Sequence, residues 1–282
     1  MKLSQILIKD GDTDNLPGDI QNNINSTKLY FPDFDHTLYT KEMLREFISD
    51  NFDKEVLWAF DYLNAYAYKA DLARYCLMYI NGGLYIDLRI QITRSIDFGN
   101  LDFLFFKDLC NSTHRYNNFA VQNGFLYSKA KNVAFLNCIN SIVENCKNNY
   151  YGLTALDITG PTLLGKKISE QDMNPNGEFG NFLYLTPEKH HKNLAYVTNY
   201  GHIVGLKIDN GDITRHLQGV NDYGKMWHYK EIYGNKEFQI NYLYNLILNR
   251  NVDVEGLKNY MNVRNEEIIH ILKNSDEYKQ RF

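Results

Sequence analysis

Four charged residues are spaced so that they could act together on one anionic ligand. Asp71 and Arg74 stand three apart in Ala70-Asp71-Leu72-Ala73-Arg74-Tyr75, and Asp87 and Arg89 stand two apart in Leu84-Tyr85-Ile86-Asp87-Leu88-Arg89. On a helix a spacing of three puts Asp71 and Arg74 on one face, and on a strand a spacing of two sends Asp87 and Arg89 to one side. A guanidinium offers a forked set of N–H donors that suits phosphate, and a carboxylate accepts from hydroxyls. Gathered near one strand end, these groups would make a compact polar site. The same spacings also describe an ordinary ion pair on a helix surface and the wet face of an amphipathic strand. Spacing alone leaves both readings open.

The elements that must position the four groups follow one another without a gap. Residues 64–80 have helical periodicity, with Ala70, Ala73, Leu77 and Ile80 as the apolar stripe and Gly82-Gly83 as a C-terminal stop. In residues 84–92, Leu84, Ile86, Leu88, Ile90 and Ile92 alternate with Tyr85, Asp87, Arg89 and Gln91, which predicts one strand with one oily face. Upstream, residues 3–8 read as a short buried strand and residues 10–19 as a loop; a second apolar stretch at 28–31 precedes Pro32, and residues 37–39 follow. Residues 41–52 predict a helix with Met43, Leu44, Phe47 and Ile48 on one side. Downstream come strands at 103–106 and 123–127, and a helix at 132–146 built on Phe135, Ile139, Ile142 and Val143. A hairpin is predicted over 207–213 around Asn210-Gly211, and the chain reads as helical after Lys236. No repeat or Pro/Gly/Ser-rich linker divides it, so 282 residues form one mixed α/β domain.

Bulk properties narrow the partners. The formal charge is -4 and the lysines and arginines are scattered, which argues against nucleic acid. Cys76, Cys110, Cys138 and Cys146 include no CxxC pair, and the spacing of the last two along one helix is too long for a bridge, so free thiols in a reducing compartment are expected. The N-terminus lacks a signal-peptide apolar run and no stretch approaches the roughly twenty apolar residues of a membrane span, so a soluble, cytoplasmic protein is expected. His190, His191, His202, His216 and His228 lack paired metal-ligand spacing. Tyr62, Tyr66, Tyr68, Tyr75 and Tyr79 read as helix packing, with one or two available to line a sugar site.

The run from Asp71 to Arg89 resembles the family 32 glycosyltransferases and their relatives, the capsular polysaccharide sugar transferases and the glucosylating bacterial toxins. Their shared stretch is Asp-x-x-Arg-Tyr, a helix end, then Gly-Gly-x-Tyr-x-Asp-x-Asp, and this chain matches its order and spacing except that Arg89 stands at the final aspartate. Weaker echoes are the opening strand, Phe31-Pro32-Asp33-Phe34-Asp35, Asn123-Gly124-Phe125, Thr159-Gly160-Pro161 and the segment Asn221-Asp222-Tyr223-Gly224-Lys225-Met226-Trp227, which resembles a loop that closes over a diphosphate. The resemblance implies a GT-A-like, Rossmann-type mixed sheet flanked by helices over residues 1–235, with a helical C-terminal extension at 236–282.

It also implies roles. Asp87 and Arg89 would be the catalytic residues, and Leu7, Ile8, Asp71, Arg74, Tyr75, Asp87, Lys225 and Trp227 would bind the donor, with the Trp227 indole on a phosphate oxygen. Asn123, Asp157 and Asp222 would line the sugar or acceptor site. Leu7 stands where the family usually has a tryptophan stacked on the nucleobase, which implies looser base recognition. The family's last carboxylate binds Mn²⁺ or Mg²⁺, and an arginine cannot. No metal is therefore expected; any would rest on Asp87 and Asp222. Either Arg89, aided by Lys225, supplies the charge a metal would bring, or catalysis is lost and a nucleotide-sugar-binding scaffold remains. The activity implied is retaining transfer of a hexose from a nucleotide-diphosphate sugar, UDP-sugar favoured over GDP-sugar, to a hydroxyl on a glycan, lipid-linked or protein acceptor.

Overall fold

A computed structural model describes the chain except for residues 14, 110–118, 172–175, 187–193, 208–216, 218 and 281–282. The predicted hairpin, Cys110, His190, His191 and His216 lie outside the described residues. Strands β1 (Lys2–Ile6), β2 (Asp35–Tyr39), β3 (Gly83–Ile86), β4 (Ile90–Ile92), β5 (Phe103–Lys107), β6 (Val121–Ser128), β7 (Gly177–Tyr184), β8 (Leu194–Val197) and β9 (Ile203–Lys207) form one mixed sheet. Its nine strands run in the order β2-β1-β3-β6-β5-β7-β8-β9-β4. β1 pairs in parallel with β2 and β3, and β3 pairs antiparallel with β6. Only residues 87–89 separate β3 from β4, yet β4 lies at the far edge beside β9, so the sheet must curl back on itself.

The curl creates two apolar layers. On its inner face Leu84, Ile86, Ile90 and Ile92 meet Phe106, Phe125, Phe182 and Tyr196. Against the other face pack α2 (Lys41–Asn51), α3 (Lys54–Tyr62), α4 (Tyr66–Asn81), α5 (Val133–Lys147) and α6 (Pro161–Ser169), burying Leu44, Ile48, Leu72, Phe135 and Ile139 among others. The mixed α/β architecture expected from periodicity is observed. Thr40 caps α2 and Asp53 caps α3, each side chain accepting from backbone N–H groups of the first turn.

The join from α4 to β3 depends on its glycines. Gly82 ends the helix at φ +60 and Gly83 follows at φ +85, where a Cβ would lie 2.2 Å from the Lys2 carbonyl oxygen. Only a residue without a side chain lets β3 enter the sheet that close to β1.

Two expectations need correction. The segment 84–92 is not one strand: it breaks at 87–89, because Leu88 leaves the inner layer to pack with Leu7, Ile20 and Ile24. The expected loop at 10–19 ends two residues early, at the start of α1 (Gly18–Tyr30), and the apolar stretch at 28–31 is largely the last turn of that helix. Its buried face mixes Ile20 and Ile24 with Asn23 and Thr27, so apolar periodicity is weak. What holds it is tertiary: Asn23 Nδ2 donates to the Leu88 carbonyl at 2.9 Å, and Ser26 Oγ accepts from Ile92 N at 3.1 Å. α1 thereby clamps the break that carries Asp87 and Arg89.

Beyond the sheet lie α7 (Tyr223–His228), α8 (Lys236–Leu248), α9 (Val254–Tyr260), α10 (Asn265–Asn274) and α11 (Asp276–Lys279). Ile240, Leu243, Ile247, Ile268 and Leu272 give α8 and α10 an apolar cluster of their own. Among the described residues no helix is long and apolar enough to cross a membrane.

Candidate active site

The β3–β4 break is a hydrogen-bonded turn. Asp87 N donates to Gly124 O at 2.7 Å, and Ile90 N returns to Asp87 O at 3.0 Å. Arg89 N donates to Asp87 Oδ1 at 3.0 Å, and Arg89 Nε lies 3.8 Å from the same oxygen. This local bonding holds both charged side chains at the strand tip while Leu88 points the other way into its apolar cluster. Gly124 admits the arrangement, since a Cβ there would meet Tyr196 Oη at 2.9 Å and Asp87 Cβ at 3.5 Å.

Asp71 and Arg74 reach the same place from α4. Arg74 Nη1 donates to Asp71 Oδ1 at 3.0 Å, Asn123 Nδ2 to the same oxygen at 2.8 Å, and Thr159 Oγ1 to Asp71 Oδ2 at 2.8 Å. The Arg74 guanidinium lies over the Tyr85 ring, 4.3 Å from its centroid, and its buried Nε has no hydrogen-bond partner among the described residues. Arg74 lines the cavity, and its charge favours an oxyanion bound there. Burial pushes the Asp71 carboxyl up to about 6, against the pull of Arg74, Thr159 and Asn123. For Asp87 burial also opposes ionisation, but Arg89, Arg74 and Lys207 outweigh it and hold the carboxyl below its ordinary value.

Two adjoining cavities meet at this point. The first, about 300 Å³, is polar: Asp71, Arg74, Asp87, Arg89 and Asn123 line it, together with Lys207 from β9. The second, about 550 Å³, is walled by Leu7, Ile8, Ile20, Leu88, Leu217 and Val220, with Asp222 at its edge. Asp87, Arg89 and Tyr223 border both. The 219–223 segment is tied across the β1 end, with Asp10 N donating to Gly219 O at 2.7 Å, and Asn221 Oδ1 accepts from Tyr66 N at 2.9 Å.

The structure therefore brings Leu7, Ile8, Asp71, Arg74, Asp87, Arg89, Asn123 and Asp222 around one pair of cavities, and puts the other candidates elsewhere. Tyr75 is buried behind the site, its hydroxyl donating to Thr159 O at 2.9 Å. Asp157 braces its own loop, with Oδ2 accepting from Leu153 N at 2.7 Å and Thr154 N at 2.8 Å. Lys225 is exposed and lines neither cavity. The Trp227 indole N–H, expected on a phosphate, donates to Tyr151 O at 2.6 Å, so its single donor is spent on the backbone. Asp222 caps α7 through Gly224 N at 3.0 Å and Lys225 N at 3.1 Å. Sequence reasoning missed Lys207, Asp108, Gln122, Tyr196 and Tyr223, because strands and segments remote in sequence carry them to the cavity.

The donor set does not fit a divalent cation. Asp87 is the turn's single carboxylate and faces the charges of Arg89, Arg74 and Lys207, and the Asp71 carboxylate already faces the Arg74 guanidinium. Among the described residues no group of three or more His, Cys, Asp or Glu is placed to hold a metal.

Residues 17–119 match the family model described as "Glycosyltransferase sugar-binding region containing DXD motif". A 73-residue stretch is 36% identical to "Uncharacterized glycosyltransferase L373" of Acanthamoeba polyphaga mimivirus, covering 26% of this chain and 29% of that protein. Over 178 residues the chain is 30% identical to "Inositol phosphoceramide mannosyltransferase 2" of Schizosaccharomyces pombe, covering 60% of this chain and 48% of that protein. The chain thus spans less than half the length of these relatives. A solved structure, "PaToxG Glycosyltransferase", superposes with a TM-score of 0.46 at 16% identity, covering 60% of this chain and 67% of that one.

Proposed function

On the premise that residues 17–119 carry a DXD-type glycosyltransferase region, we propose that the protein transfers a hexose from a nucleotide-diphosphate sugar to a hydroxyl acceptor without a divalent cation. The carrying observation is the seam: Asp87 and Arg89 stand where a cavity lined by charged groups, Arg74 among them, meets one walled largely by aliphatic side chains. A nucleotide sugar has that division, with a flat base at one end, an anionic pyrophosphate in the middle and a hydroxyl-rich ring at the other.

In this reading the base enters between Leu7, Ile8 and Leu88, contacting aliphatic walls instead of a stacked indole. The pyrophosphate lies at the strand tip against Arg89 and Lys207, with Arg74 behind. Asp71 and the Asn123 Oδ1 accept from the sugar hydroxyls, while Asn123 Nδ2 is turned to Asp71 and Tyr75. The acceptor oxygen forms its bond to the anomeric carbon as the bond from that carbon to the phosphate oxygen breaks. The diphosphate leaves with the electron pair, and one of its oxygens takes the acceptor proton on the same face, which retains configuration. Arg89 and Lys207 stabilise the charge that develops on the leaving group, the work a metal would otherwise do. The names of the Schizosaccharomyces relatives add mannose to the candidate hexoses and an inositol-containing lipid to the candidate acceptors; UDP-sugars remain the favoured donors.

The arginine at the motif's final position also supports a second reading, a nucleotide-sugar-binding scaffold without turnover. Incubating the protein with UDP-glucose, UDP-galactose and GDP-mannose, in EDTA or Mn²⁺, and following nucleoside diphosphate release separates them. Release in EDTA is the expected result; binding by calorimetry with no release in any condition would establish the scaffold.

A further inference from the structure

Asp108 directly follows β5 and lines the polar cavity, although no motif marks it. Its backbone N donates to Ala120 O at 2.8 Å, which extends the ladder by one residue and fixes where the side chain begins. Leu109 N and Gln122 Nε2 both donate to Asp108 Oδ1 at 2.7 Å. Gln122 is itself oriented, because its Oε1 accepts from the buried Tyr196 hydroxyl at 3.3 Å. Oδ2 receives no hydrogen bond among the described residues, so one oxygen is anchored and the other is left to the cavity.

The strand order supplies the distance. β3, β6 and β5 are consecutive neighbours, and the C-terminal ends of β3 and β5 point to the same rim because each pairs antiparallel with β6. Asp108 N meets Ala120 O and Asp87 N meets Gly124 O, so the two lie two strand spacings across and four residues along β6 from each other, roughly 16 Å between backbones with both side chains on the one cavity. The space between them is bordered by Asn123 and Gly124 of β6. With the pyrophosphate at Asp87 and the sugar ring over Asn123, a carboxylate on the far rim faces the side from which a second hydroxyl compound must arrive.

We propose that Asp108 is the acceptor-side residue of this cavity: Oδ2 accepts a hydrogen bond from the attacking hydroxyl and aims its oxygen at the anomeric carbon, the proton passing to the departing diphosphate. The inference rests on the transferase reading above and deepens it. Asp157, which the resemblance placed at the sugar or acceptor site, is committed to its own loop.

The test uses water as the acceptor probe, in EDTA, with whichever of the UDP- and GDP-sugars the wild type turns over, and measures nucleotide release together with donor Kd by calorimetry. Asp108→Ala should lower kcat roughly 10- to 100-fold, the effect of losing a hydrogen bond to a charged group, while donor Kd stays within about twofold. Asp108→Asn, which keeps an accepting oxygen, should recover most of the rate. Adding methyl α-D-mannopyranoside should reproduce the same order of variants in the transfer product. A kcat in Asp108→Ala within about twofold of wild type, or a donor Kd that rises in step with the loss, would overturn the assignment. An Asn variant no better than Ala would overturn the hydrogen-bonding role in favour of proton abstraction. A wild type that binds donors but releases no nucleotide removes the transferase reading itself, and is recognised before any variant is made.

Discussion

Exchanging Arg89 for an aspartate should exchange one source of positive charge for another. Unit charges about 4 Å apart, the contact a guanidinium makes with a phosphate oxygen bound beside it, interact by about 4 kcal/mol at an effective dielectric near 20. The Arg89 side chain is 35% exposed, so solvent screens that interaction; halving it leaves about 2 kcal/mol acting on a leaving group that gains about one unit of negative charge. About 2 kcal/mol corresponds to roughly 30-fold in kcat. Arg89→Ala should therefore turn over roughly 30-fold more slowly in EDTA, with no rescue by Mn²⁺, since Asp87 alone does not make a cation site. Arg89→Asp recreates Asp-x-Asp on the turn; it should be inactive in EDTA and regain turnover with Mn²⁺. The assay is nucleoside diphosphate release under single-turnover conditions, each variant with EDTA and with Mn²⁺. Wild-type activity that disappears in EDTA, or Arg89→Ala at the full rate, would refute the electrostatic argument.

Three further outcomes follow from the same geometry. Because the Asp71 carboxyl is pushed up to about 6 and must be ionised to accept from sugar hydroxyls, kcat/KM should rise as pH climbs through that value and level off above it; a profile flat across that range in wild type excludes the role. Thermal stability should run the other way, since the folded value lies above the ordinary 3.8 and ionisation between about 4 and about 6 penalises the folded state; a Tm that rises over that interval, with Asp71→Asn as the control, contradicts the burial argument. Trp227→Phe removes the donor to Tyr151 O, so it should cost about 1 to 2 kcal/mol while leaving UDP affinity within about twofold; a tenfold weaker Kd would return the indole to the phosphate.

Much of the frame is legible in the sequence because its cause is local. Thr40 and the Leu44/Ile48 spacing delimit α2, and Asn132 opens α5, with no information from elsewhere in the chain. The Gly82-Gly83 pair announces the α4 stop, since positive φ at two successive residues is a local demand. The motif from Asp71 to Arg89 carries its four charges on adjoining elements, and all four line one cavity, an outcome that spacing alone left open. Where local and long-range demands compete, the local signal misleads. The alternation across 84–92 is unbroken in sequence, but Asn23 and Ser26 of α1 bind the backbone at Leu88 and Ile92 and help hold the strand in two. α1 itself is weakly patterned, because half of what it buries is polar, with Asn23 satisfied by the distant Leu88 carbonyl and Thr27 by Asn23 O one turn back.

The sequence by itself determined the identities and the local stage: two acid–arginine pairs, the glycine hinge between them, and an arginine where the resembled motif has its final aspartate. Only the tertiary structure decided which other side chains share the cavity. The curl of the sheet brings Lys207 from β9 beside the β3–β4 turn, and the β3-β6-β5 order sets Asp108 across from it, while the backbone takes the Trp227 N–H and the 153–154 loop takes Asp157. Side-chain type and spacing state what a group can bond to; which partner it meets depends on strand order and closure, and those are fixed by burying both faces of the sheet at once.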